Sequence, residues 1–192
     1  LLTSQVNKLS SSQVQALTTG EVAALGTAQV AALTTAQLVV MENADVAALS
    51  TAQLNAIAAG DFALLSMDQL RALTTDQAAG LSTAQLNALS SAKFNALETQ
   101  DFAALTTTQV AAIADTRIDD LSTSLIQALT VDQVAGLGTS QVSSLTSVQL
   151  VAMETTDVAA LTSNQVLQIS DSNIAKFDTA QTRSLSRDVI GG

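Results

Sequence analysis

Large apolar residues recur along the chain with a period of eight. Stepping by eight from Leu9, all 23 positions as far as Leu185 hold Leu, Ile, Met or Phe. The residue five further on, from Val14 to Ile190, is also large and apolar except at Ala78 and Thr182. Between the two lies a polar corner, giving L-[ST]-[ST]-x-Q-[VLIF]-x-A, as in the stretch from Leu81 to Ala88. A longer period overlies the first: Glu42/Asp45, Glu98/Asp101 and Glu154/Asp157 recur every 56 residues, as do Ile57, Ile113 and Ile169. Seven octads thus form a higher unit, which reads either as a duplicated cassette or as a superhelix returning to the same face.

An uninterrupted α-helix is a poor carrier of this pattern. Eight residues turn through about 800°, so the apolar stripe drifts by about 80° per octad and no partner can cover it. Neither the 7-residue nor the 11-residue supercoil period fits. A β-solenoid keeps its phase, because eight is even, but places Val30 and Leu33 on opposite faces and builds strands from weak strand formers. A short helix in each octad uses every repeated position. With Thr34 as N-cap, its hydroxyl accepts from the Gln37 amide while the Gln37 side chain reaches back, and Leu33 with Leu38 forms the hydrophobic staple. The same box is written at Ser10/Gln13, Thr18/Glu21, Ser50/Gln53, Ser66/Gln69, Thr74/Gln77, Ser82/Gln85, Thr106/Gln109, Thr130/Gln133, Thr146/Gln149 and Thr162/Gln165. A new cap every octad means a helix ends every octad.

Isolated helices below about 12 residues are marginal, so stability must come from stacked neighbours. The sequence therefore predicts an all-α fold: a solenoid of very short helices, one per octad, with the Leu and Val/Leu/Phe positions inside and the Thr-x-Gln corners at the surface. Residues 1–192 read as a single repeat array of about 23 octapeptides. Over 170–192 the pattern loosens, with Asn173, Thr182 and the ending Ile190-Gly191-Gly192, which reads as degenerate capping repeats. The start at Leu1, in mid-pattern and without Met, reads as a piece of something longer.

Composition narrows the chemistry. The chain has no His, Cys, Pro, Trp or Tyr, so a Ser-His or Cys-His nucleophile pair, a zinc site of the usual N/S type and a disulfide frame are all missing. Seven Lys+Arg against seventeen Asp+Glu leave a net charge of −10, which argues against nucleic acid as a partner. No apolar run of about eighteen residues is present to span a bilayer. We expect no enzyme, and assign no catalytic, cofactor-binding or metal-ligating residue and no cofactor.

Four features were weighed as sites. The pairs Glu42/Asp45, Glu98/Asp101 and Glu154/Asp157 resemble carboxylate pairs for Ca²⁺ or acid-base work, but they fall on N-cap and N3 positions, where negative charge favours a helix N-terminus. Asp115, Arg117, Asp119 and Asp120 break the consensus in one octad and read as solvated surface with a local charge pair. Thr27, Thr35, Thr51, Thr75, Thr83, Thr99 and Thr107 suit a hydroxyl face for ice, water or O-linked sugars, or else simply serve helix starts. Phe62, Phe94, Phe102 and Phe177 fall on apolar positions and read as core. The basic residues Lys8, Arg71, Lys93, Arg117, Lys176, Arg183 and Arg187 are scattered and make no patch.

The segments LTTAQ, VAALTT and LSTAQLNAL resemble the Ala/Thr/Gln-rich octapeptide-repeat arrays of large bacterial secreted or cell-surface, adhesin-like proteins. The resemblance covers essentially the whole chain and carries no catalytic motif. It implies a secreted or surface-displayed bacterial repeat region. For a solenoid in that setting we expect a structural role as stalk, spacer or self-assembling filament, with partners that are the chain itself (end to end or laterally) or a surface protein or glycan. An adhesin-type binding module is the alternative, and an ice-binding surface a remote one. The haem label carried by some such proteins finds no His, Cys or Tyr here to bind iron.

Overall fold

The computed structural model describes residues 2–185. The expectations placed on Leu1, Arg187, Ile190 and the Gly191-Gly192 ending lie outside them. Among the described residues there are 23 α-helices of four to six residues and no strand. The protein is a solenoid of short helices, one per octad.

Each corner follows from the local sequence. Thr34 is extended (φ −75°, ψ 157°); its Oγ1 accepts from Gln37 N at 3.3 Å, and Gln37 Oε1 accepts from Thr34 N at 2.8 Å. All the boxes read from the sequence form in this way. At Gly26 and Gly138 only the reach-back half exists, from the glycine amide to Gln29 or Gln141 Oε1. No described residue has a positive φ. The chain bends by passing from αR into extended residues, as at Leu49 and the N-cap Ser50, so a Ser or Thr can stand where a left-handed cap would demand glycine.

The chain forms two compact units, Leu1–Ala104 and Leu105–Gly192. In the first, helices three octads apart pack together: Thr19–Ala23 on Asn43–Ala48, Ala59–Phe62 on Thr83–Ala88, and Thr75–Ala79 on Thr99–Ala103. In the second, Val131–Ala135 packs on Thr155–Ala160, which packs on Thr179–Ser184. The stretch from 170, where degenerate repeats were expected, continues as the helices Asp171–Ile174 and Thr179–Ser184.

Both apolar positions of the octad point inward. Leu33, Leu38, Leu65, Leu70, Val134 and Leu137 are all buried, and Ala78, the small exception, is fully so. The four phenylalanines are core, with Phe94 and Phe102 edge-to-face at 6.0 Å between ring centroids. No described helix is long and apolar enough to cross a membrane.

Candidate functional site

The feature that organises the molecule is a seam of glutamine amides between successive coils. Gln37 Nε2 donates to the carbonyls of Val6 and Leu9, both at 2.8 Å. Gln69 Nε2 does the same to Leu38 and Met41, both at 2.9 Å. In the second unit Gln141 reaches Val110 and Ile113, and Gln149 reaches Ile118 and Leu121. The separations in these pairs are 31 and 28 residues, and Gln53 and Gln77 donate in addition to carbonyls 30 residues earlier. A coil therefore takes 28 residues, three and a half octads, and the 56-residue period is two coils returning to one face.

The expectation that the Thr-x-Gln corners lie wholly at the surface is corrected for glutamine. Gln37, Gln53, Gln69, Gln77 and Gln85 are all buried. Each amide works twice: its oxygen accepts from its own N-cap amide, and its nitrogen satisfies carbonyls at the C-terminal end of a helix one coil away. Helices this short leave most of their terminal N–H and C=O groups without intrahelical partners, and a buried unpaired one is costly. One side chain thus serves two helix ends. Lys93, standing where glutamine usually does, makes an equivalent bond from Nζ to the Ala63 carbonyl.

Every coil consequently has two unlike sides. On one are the octad-leading leucines and glutamine donors, on the other the second apolar position and the carbonyl acceptors. Where residues 9–25 have no coil beneath them, Leu9, Leu17 and Leu25 are half-buried and Gln13 and Glu21 exposed, while Val6, Val14 and Val22 are covered. An open groove of about 270 Å³ lies there, lined by Leu17, Glu21, Ala24, Leu25 and Gln29. In the second unit the reverse holds: Ile169 and Phe177 are buried while Val166 and Ile174 are half-buried.

The acidic pairs occupy the expected N-cap and N3 positions, and at two of them half of a cap is made: the Asp45 and Asp157 carboxyls accept from the Glu42 and Glu154 amides. Glu42, Glu98 and Glu154 make no side-chain cap bond. Asp45, Asp101 and Asp157 are buried, and Asp45 Oδ2 and both Asp101 carboxyl oxygens have no hydrogen-bond partner. Burial raises the pKa of all three above the ordinary aspartate value, and the charge of the neighbouring glutamate adds to the rise. At Asp45 and Asp157 the bond from the N-cap amide favours the charged form, and desolvation outweighs it. Glu21 shows the opposite case: it is exposed, and the Thr18 amide and hydroxyl hold its carboxyl below the ordinary range.

The remaining candidates are not brought together. Asp115, Asp119 and Asp120 are exposed around the helix Asp115–Ile118, with Arg117 half-buried. Among the described residues no group of three or more acidic side chains could hold a metal ion. The Thr row occupies the first helical position and winds around the coil: Thr83 and Thr99, two octads apart, are separated by more than half of the 28-residue turn. Thr35 donates to Asp61 Oδ1 one coil on, and the Thr51 methyl lies against Gly80. What sequence reasoning missed is the seam and the exposure of the apolar side chains Val39, Leu64 and Met67.

No curated protein matches the chain. The family model of the ALTTAQ repeat matches residues 15–41, 38–75 and 54–91, so that a continuous stretch inside the first compact unit is similar to that repeat family.

Proposed function

We propose that this chain is a structural repeat region of a secreted or surface-displayed bacterial protein, serving as stalk, spacer or filament wall rather than as an enzyme. The observation that carries this reading is the complementarity of the two sides of a coil. Glutamine donors and leucines on one side fit the carbonyls and second apolar positions of the other, so further coils add by the bonds already used inside the array, whether they come from the same chain or another copy. Head-to-tail contacts of this kind are heterologous and do not close. The net charge of −10 keeps such a surface soluble and disfavours nucleic acid as a partner.

Electron microscopy with sedimentation of the purified chain tests it. End-to-end rods that lengthen with concentration are expected, and Gln13→Glu, which places a carboxylate against the incoming carbonyls, should shorten them. Uniform monomers at high concentration would overturn self-assembly. A second reading, a module that binds a surface protein or glycan, is favoured by the exposed apolar side chains Val39, Leu64 and Met67; glycan and matrix-protein arrays, with Met67→Lys as control, distinguish it.

A further inference from the structure

The buried aspartates stand where the seam needs a donor. Along the seam, as at Gln69 and Gln181, the amide nitrogen meets the carbonyls 28 and 31 residues earlier. In that register Asp45 stands opposite Leu17 and Val14, Asp101 opposite Leu73 and Leu70, and Asp157 opposite Leu129 and Ile126. An ionised carboxylate has acceptors only, so it offers no donor to the carbonyls of Leu17, Leu73 and Leu129 and sets like partial charges against them; those of Val14, Leu70 and Ile126 already accept from the amides of Leu17, Leu73 and Leu129. A neutral carboxylic acid has one O–H to give. It also needs no more room than the carboxylate, which matters because Asp45 Oδ2 and both Asp101 oxygens have no accessible surface. A calcium ion, by contrast, takes six to eight oxygen ligands, and among the described residues no group of three or more acidic side chains could hold one.

We propose that the octads beginning at Met41, Leu97 and Met153 are proton-operated seams: as neutral acids Asp45, Asp101 and Asp157 close the coil as glutamine does, and on ionisation they open it. The array is tightest in acid and loosens as the pH rises, once every second coil. The burial that raises their pKa acts in this direction. The charged groups on the elements packed against Asp45 are Glu21, Asp68, Arg71 and Asp76; around Asp157 they are Asp132, Asp178 and Arg183; and beside Asp101 in its own unit they are Asp68, Arg71 and Asp76. Of all charged neighbours only Glu42, Glu98 and Glu154 act on the three carboxyls, each opposing ionisation. For a group whose pKa is higher in the folded than in the unfolded chain, the stabilisation is complete below the ordinary aspartate value of 3.8 and is lost as the pH climbs through the raised one.

The test compares the full chain with the triple variant Asp45→Asn/Asp101→Asn/Asp157→Asn, following Tm from about pH 3 to about pH 8. The wild-type Tm should fall by several degrees across this range, and the variant should lose most of that fall, because its amides donate at every pH. Equal pH dependence in the two proteins would overturn the proposal. Should the variant not fold, carboxyl-carbon NMR of the wild-type chain decides: three aspartate midpoints above 3.8 support the seam, and midpoints at or below that value contradict it. Neither readout depends on whether the chain forms filaments.

Discussion

Gln77 and Leu49 are 28 residues apart, and the amide nitrogen of the first donates to the carbonyl of the second at 2.6 Å. The same side chain accepts from the Thr74 amide at 2.8 Å through its oxygen. Local capping and the stacking of coils are therefore carried by one residue type, and a change at this position should be felt in both.

Gln69→Leu strands the Met41 carbonyl and the Ser66 amide and takes one of two donors from the Leu38 carbonyl. We expect a loss of about 2–4 kcal/mol, since each buried group left unpaired costs about 1–3 kcal/mol. Gln15→Ala, at an exposed position, should stay within about 0.5 kcal/mol of wild type. Urea denaturation of the three proteins measures both.

Gly80 and Gly60 should respond oppositely to alanine. A Cβ on Gly80 would lie 1.9 Å from the Thr51 methyl, while one on Gly60 meets nothing within 4 Å. Gly80→Ala should cost about 1–3 kcal/mol by overpacking, and Gly60→Ala should gain about 0.5–1 kcal/mol of helix propensity. Thr51→Ser removes the methyl, so it should recover most of the Gly80→Ala loss in a double-mutant cycle.

Leu105 is 3% exposed, and Leu105→Asp places an unpaired carboxyl in the core of the second unit. A loss of several kcal/mol follows, on the order of 3–5. The hydroxyl of the exposed Thr107 is not the N-cap group, which belongs to Thr106. Thr107→Ala should change stability by less than about 0.5 kcal/mol, whereas Thr106→Ala should cost about 1 kcal/mol. Thermal melts followed by far-UV circular dichroism separate the three.

The corners were legible in the sequence because a capping box and its staple span only six residues, from Leu33 to Leu38, and both signals sit inside one octad. The core was legible for the same reason. The coil was not, although the recurrence of Asp45 and Asp101 every 56 residues held a trace of it. A return after three and a half octads depends on the bend at each corner, and no local pattern encodes that angle. The burial of Gln37 and its fellows was hidden too: a glutamine at N3 of an isolated helix would be wet, and only the carbonyls of Val6 and Leu9, one coil away, draw it inside. For Asp45 the same coil reverses the electrostatics, turning a position suited to a charge into one that disfavours it.

The 28-residue coil is tested most directly by two distances. The native chain has no cysteine, so spin labels can be placed at Val39→Cys with Met67→Cys, one coil apart, and at Val39→Cys with Asn55→Cys, 16 residues apart. In stacked coils the first pair is the closer, at about the 8–10 Å spacing of packed helices plus the label arms. In a continuous helix the order reverses, to about 42 Å for the first pair and about 24 Å for the second. A shorter distance for the pair at 39 and 67 is the predicted result, and a longer one would contradict the coil and the seam together.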